Sequence, residues 1–270
     1  MMANFMGYSF TETIRRCIGL CIKLLTFALV GIFILTSSPA WARNVLVAVA
    51  ANFMAPAHKI AAAFHSKTGY GVELSFGSSG QFYAQIKQGA PFEVFLSADA
   101  ARPQKAEADG LAVPGSVFTY AIGKLVLWSA NAQLVDPHGA ILRSGTFTHI
   151  ANCNPDSAPY GTAGIQTLKA LGLYNQIDPK IVTAANLSQA YQFIASGNAE
   201  LGFVALSQVM NNSKGSKWIV PQTLYSPIIQ DAVLLKTGAK DPGARAFLAF
   251  LKSKTAIKII HSYGYSTPGG

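Results

Sequence analysis

The sequence predicts an α/β protein in two lobes, on three observations. Short Val-rich apolar runs alternate with stretches of helical period, as strands buried on both faces alternate with covering helices. The first three such runs each end in small or polar residues. The same alternation then starts again at "KLVLWSA" (Lys124 to Ala130), as if a second unit began there.

The elements follow in order. "NVLVAVAA" (Asn44 to Ala51) reads as a buried strand. "NFMAPAHKIAAAFHSKTG" places Phe53, Ile60, Ala63 and Phe64 at helical spacing and stops at Gly69. "GVELSF" (Gly71 to Phe76) is the second strand, "SGQFYAQIKQG" the second helix and "EVFLSAD" (Glu93 to Asp99) the third strand. In the second unit, "THIANCNPDSAPYGTAGIQTLKALGLY" gives strand, loop and helix. "KIVTAANLSQAYQFIASGNAELGFVALSQV" gives strand, helix and strand. "PIIQDAVLLKTG" (Pro227 to Gly238) is one more strand, and "DPGARAFLAFLKSKTAIKIIHSYGY" closes the chain with helices. No repeat holds residue by residue.

The N-terminus reads differently. Arg15, Arg16 and Lys23 precede an apolar run from Leu24 to Leu35, followed by the A-x-A site Ala40, Trp41, Ala42. That is the pattern of a secretory signal peptide, and the run is shorter than the roughly 20 residues a membrane span needs. The expected organisation is therefore a signal peptide (1–42), a first lobe (43–124 plus 230–270) and a second lobe (125–229). The product is expected in the periplasm.

Composition excludes several classes. The 270 residues carry a formal charge of +9, which becomes +7 once Arg15, Arg16, Lys23 and Glu12 leave with the signal. The remaining Lys and Arg are scattered, so no nucleic-acid partner is expected. Cys17 and Cys21 leave too, and Cys153 alone permits no internal disulfide. A small buried thiol near a strand end is the expected role for Cys153. His58, His65, His138, His149 and His261 show no ligand spacing, so no metal-cation site is expected.

What recurs is a loop, a small or polar residue and a helix start: Asn52 before the first helix, Ser78 and Ser79 in "GSSG", Tyr160 and Gly161 in "APYG", and Asn186 to Ser188. A helix N-terminus offers unpaired N–H groups and partial positive charge, worth roughly 0.3–1 kcal/mol to an anion when exposed and up to about 2 when partly buried. Any one of these residues is explained by capping alone. The tiny neighbours in "AAN", "GSSG" and "PYG" also let a ligand approach the backbone. The physics therefore points to a small oxyanion held by neutral donors.

These segments carry a resemblance. "VAVAANFMAP", "SFGSSGQFYAQIKQGAPFEVFLSAD", "ANCNPDSAPYGTAGIQTLKALG" and "NAELGFVALSQV" resemble the periplasmic molybdate-binding proteins of ABC importers, over essentially Asn44 to Tyr265. The resemblance implies a type II periplasmic binding protein fold, each lobe a mixed sheet flanked by helices. It implies molybdate or tungstate as ligand, no cofactor, no enzymatic activity, a membrane permease as partner and a monomeric state. Position by position it assigns the ligand to Asn52, Ser78, Ser79, Tyr160 and Leu187, the last two through backbone N–H groups. Some members add a tyrosine hydroxyl just after the "LG-x-V" strand. Here Ala205 stands at that place, and the phenol of Tyr160 is the expected substitute.

Three rival readings accompany it. Sulfate shares the charge and shape of molybdate. An organic solute would want an aromatic cleft, for which Phe82, Tyr83 and Tyr120 are available, although core packing suits them as well. A hydrolase built on Ser79 lacks the G-x-S-x-G elbow and a histidine partner, and Asp99 reads as a helix cap.

Overall fold

The computed structural model describes residues 44–212 and 214–269, so the expected signal peptide lies outside the described residues. In chain order, β1 (Val45–Ala50) leads through a 3-10 turn (Ala51–Phe53) into α1 (Met54–Thr68). β2 (Val72–Gly77), α2 (Ser79–Lys87), β3 (Val94–Leu96), α3 (Ala101–Ala108) and β4 (Phe118–Gly123) follow. Then come β5 (Leu125–Ser129), β6 (Ile150–Cys153), α4 (Pro159–Ala170), β7 (Ile181–Ala184), α5 (Leu187–Ala195), β8 (Leu201–Ala205) and β9 (Ser216–Ile219). The chain ends with β10 (Ile228–Leu234), α6 (Pro242–Phe250) and α7 (Lys254–Ser262).

These strands form two five-stranded sheets, ordered β2-β1-β3-β10-β4 and β7-β6-β8-β5-β9. The plan is the same in both. In the first, β1 runs parallel to β2 and β3, and β10 runs antiparallel to β3 and β4. In the second, β6 runs parallel to β7 and β8, and β5 runs antiparallel to β8 and β9. Each is a mixed sheet with helices packed on it, the two-lobed α/β fold.

The chain crosses between the sheets twice. Only Lys124 separates β4 from β5, and the return runs between Leu224 and Ile228. The Leu125 N–H donates to the Tyr225 hydroxyl (3.1 Å), which ties one crossing to the other.

Packing explains the apolar runs. In β1 the side chains of Val45, Val47 and Val49 enter one core layer with Phe53, Ile60, Phe64 and Phe247, while Ala48 joins Phe82, Ile86 and Ala106 on the other face. That is the period of two, with both faces apolar because helices cover both. In α1, Ile60 and Phe64 lie one turn apart on the buried face. The helix stops at Gly69, whose φ of 77° suits only a residue without Cβ and whose N–H bonds the His65 carbonyl (2.8 Å).

The second lobe's core includes Ala50, Ala51 and Ala98 from the first. The two lobes therefore touch through tiny side chains at the ends of β1 and β3. That is where the fold brings its loops together.

Candidate functional site

Each sheet presents the carboxyl ends of two neighbouring parallel strands, and a helix begins soon after each. β1 leads to Asn52, β2 to Ser78 and Ser79, β6 to Ala158 and Tyr160, and β7 to Leu187. In open α/β sheets this is where ligands sit. All these residues line one small, tight cavity between the two sheets, of about 10 Å³ and partly open to solvent. Ala50, Ala51, Gly77, Ala98 and Pro159 complete the lining. No lining residue carries a charge.

The five residues singled out in the sequence are thus brought to a single cavity, from both sides. Ser78 is the N-cap of α2: its hydroxyl accepts from Gln81 N (3.4 Å), and the Gln81 side chain accepts from Ser78 N in return. Ser79 opens the helix, and its hydroxyl accepts from the Ala98 N–H (2.9 Å), which leaves its own proton to donate. Tyr160 and Leu187 stand in the first turns of α4 and α5, where N–H groups have no partner inside the helix. Asn186 caps α5 by accepting from Gln189 N (3.1 Å) and does not line the cavity.

Asn52 has a different job from the one its side chain suggested. Its amide nitrogen donates to Gln230 Oε1 (2.8 Å) and to the Tyr265 hydroxyl (2.9 Å). Its carbonyl accepts from the Ser207 and Tyr265 hydroxyls, both at 2.8 Å. Both amide protons are therefore engaged beneath the cavity, and the donor Asn52 has left is its backbone N–H. Ser207 follows β8 in the second lobe, so this network joins the lobes at the floor of the cleft.

The Tyr160 phenol belongs to the same floor. It sits 3.5 Å from Gln230 Nε2, and a Cβ added to Gly123 would fall 2.0 Å from its oxygen. Neither Gln230 nor Gly123 lines the cavity. The expectation that this phenol replaces a missing ligand hydroxyl is therefore corrected: it packs into the crossing between the lobes. Ala205 does not line the cavity either. Its N–H donates to Gln208 Oε1 (3.0 Å), and Gln208 Nε2 donates to the Leu187 carbonyl (3.1 Å), which fixes the start of α5.

Three phenols are buried here. Burial first, and then the nearby Tyr265, hold the Tyr160 hydroxyl well above the usual tyrosine range. Burial does the same for Tyr120, and it pushes Tyr265 up to about 12 despite the bonds it makes with Ser207 and Asn52. All three stay protonated donors at neutral pH. In the unfolded chain a phenol ionises near pH ~10, so the unfolded state releases protons that the native state keeps. Stability is then full below that pH and falls as pH rises through the folded values. Urea midpoints should drop as pH rises from about 10 toward about 12, with a flatter slope in Tyr265→Phe. An unchanged slope in that variant would show that Tyr265 does not carry the effect.

The remaining expectations find their places. Asp99 Oδ1 accepts from Arg102 N (2.8 Å) as a cap for α3. Cys153 ends β6 fully buried, and burial pushes its thiol up, away from the reactive thiolate. Phe82 and Tyr120 are core residues. Among the described residues no group of His, Cys, Asp and Glu is arranged to hold a metal ion. What the sequence did not single out is the support: Ala98, Gln208, Gln230 and Tyr265. Only "FLSAD" carried a local hint, a tiny Ala98 beside the more conspicuous Asp99.

Comparison with known proteins agrees with this geometry. The family described as bacterial extracellular solute-binding protein matches residues 45–266. The molybdate-binding protein ModA of Rhodobacter capsulatus is 59% identical over 85% of this chain and 90% of its own length. The molybdate-binding protein ModA of Azotobacter vinelandii is 52% identical over 86% and 93%. The solved structure of the Azotobacter vinelandii periplasmic molybdate-binding protein superposes with a TM-score of 0.80 at 45% identity, covering 82% of this chain and 98% of that one. These are solute-binding proteins of transport systems and not enzymes. A two-lobed fold, a neutral cavity between the sheets and identities of this size lead to one assignment: the chain belongs to the bacterial extracellular solute-binding proteins, in the group of the molybdate-binding proteins.

Proposed function

We propose that this protein captures molybdate or tungstate in the periplasm and delivers it to the membrane permease of an ABC importer. One observation carries the reading. Helix starts from both lobes converge on one small cavity whose lining has no charged side chain. Only a compact anion suits such a place. The hydroxyls of Ser78 and Ser79 and the N–H groups of Asn52, Tyr160 and Leu187 are the donors. Partly buried helix ends add up to about 2 kcal/mol each.

Because the donors come from both lobes, the ligand favours the closed state, and it shifts the population by its differential affinity. Neutral donors also leave no fixed ion pair to break on release. The lobes are residues 43–124 with 230–270, and residues 125–229. Residues 1–42 act as the signal peptide, and the mature protein works as a monomer.

Calorimetric titration of the mature protein with molybdate, with sulfate as competitor, tests this. Molybdate should bind and excess sulfate should fail to displace it. Affinity should change little between low and physiological salt, since no lysine or arginine meets the ligand. Equal binding of sulfate would reduce the function to general oxyanion uptake. A steep salt dependence would point to a charged contact in the site.

A further inference from the structure

Two donors of the first lobe meet two consecutive carbonyls of the second, beside the cavity rather than in it. Gly80 N donates to the Ser157 carbonyl (2.9 Å), and Arg102 Nη2 donates to the Asp156 carbonyl (2.8 Å). The loop that offers these carbonyls runs directly into Ala158, Pro159 and Tyr160, which line the cavity. Arg102 is held for the task. Asp99 grips its Nη1 and also accepts from its backbone N–H, so the guanidinium is fixed before it reaches across. With Nη1 on Asp99 and Nη2 on a carbonyl, it stands outside the cavity lining.

The fit at Gly80 is equally specific. A Cβ there would come within 2.9 Å of Ser157 Cα and 3.1 Å of Arg102 Nη2. Backbone cannot yield at that distance. The lobes can therefore come this close only if residue 80 has no side chain.

We propose that Arg102 and Gly80 are positioning residues that latch the cleft shut. Their two bonds exist only when the lobes are together, and they hold the start of α4, with the Tyr160 N–H, against the cavity. On opening, Arg102 keeps Asp99 and exchanges the Asp156 carbonyl for water. The latch therefore acts on release more than on capture, as interface bonds generally do. It also sets how readily the protein hands over its cargo. This rests on oxyanion capture in the cleft.

Stopped-flow capture and release of molybdate by the mature protein separates the possibilities. Arg102→Ala should release molybdate about tenfold faster, with an association rate within about twofold of wild type. Arg102→Lys should recover only part of the loss, because one ammonium cannot match a guanidinium forked between two partners. Gly80→Ala gives the second arm. Alanine is the better helix former, so the ligand-free protein should unfold no more easily while release still quickens. A merely structural residue would not move those two readouts apart. Release at the wild-type rate in both Arg102→Ala and Gly80→Ala, with wild type binding normally, overturns the latch alone. A wild-type protein that binds no molybdate overturns the capture reading and the latch with it.

Discussion

Ser79→Ala is expected to weaken molybdate binding by about 10- to 100-fold, the range that follows from deleting one hydrogen bond to a charged partner. The hydroxyl sits at the first position of α2, almost fully buried, and lines the cavity. It accepts from the Ala98 N–H, so its proton is free to point at an anion. The same change also strips that N–H of its acceptor, at about 1–3 kcal/mol of stability. Affinity and stability should therefore fall together, which calls for a control. Asn186→Ala removes the cap of α5 without touching the cavity lining. It should lose about 1 kcal/mol of stability and leave affinity nearly intact. If Ser79→Ala binds as tightly as wild type, Ser79 is a structural tie to β3 and the donor set needs redrawing.

The "GSSG" turn shows how one local sequence serves two ends. Both serines line the cavity, but Ser78 also caps the helix through a reciprocal bond with Gln81, whereas Ser79 is tied to β3 instead. Sequence spacing alone separates neither role, because both serines suit a cap. The distinction comes from Ala98, nineteen residues on, whose N–H selects Ser79.

That contrast describes the whole molecule. Buried parallel strands were legible because both faces must be apolar: Val45 to Ala50 and Leu201 to Ala205 could be little else. The edge strands β4 and β9 were not singled out. In Ser216 to Ile219 only Trp218 is buried, and four residues with one apolar anchor give no period to read. The helix starts of the site were also legible, since capping and tiny residues leave local marks. Their partners were not. Asn52 meets Gln230 across 178 residues and accepts from Ser207 across 155, and no spacing encodes such pairings. Arg102 read as one more solvated cation until the fold placed the Asp156 carbonyl against it. The Tyr160 phenol misled for the same reason: its partners, Gly123 and Gln230, lie in β4 and β10 of the other lobe and nowhere near it in sequence.

Gly161→Ala sets local preference against packing, and the two predict opposite signs. Gly161 lies in the first turn of α4 with ordinary helical backbone, so propensity alone would credit alanine with up to about 1 kcal/mol. Packing says otherwise. A Cβ at this position would stand 2.3 Å from the Cys153 carbonyl oxygen, 2.8 Å from its carbon and 3.1 Å from the carbonyl carbon of Asn154. All three atoms are backbone at the end of β6, and none can rotate away. The helix must instead lift off the strand, which also breaks the bond from Asn152 Nδ2 to the Gly161 carbonyl (3.1 Å). Overpacking of this kind costs about 1–3 kcal/mol and occasionally more, and the lost bond adds to it. Gly161→Ala should therefore unfold at lower denaturant than wild type, and its molybdate affinity should fall as well, because the displaced turn carries the Tyr160 N–H. A variant as stable as wild type or more so would mean that α4 has room to shift. The close approach of helix to strand would then not be what fixes the site.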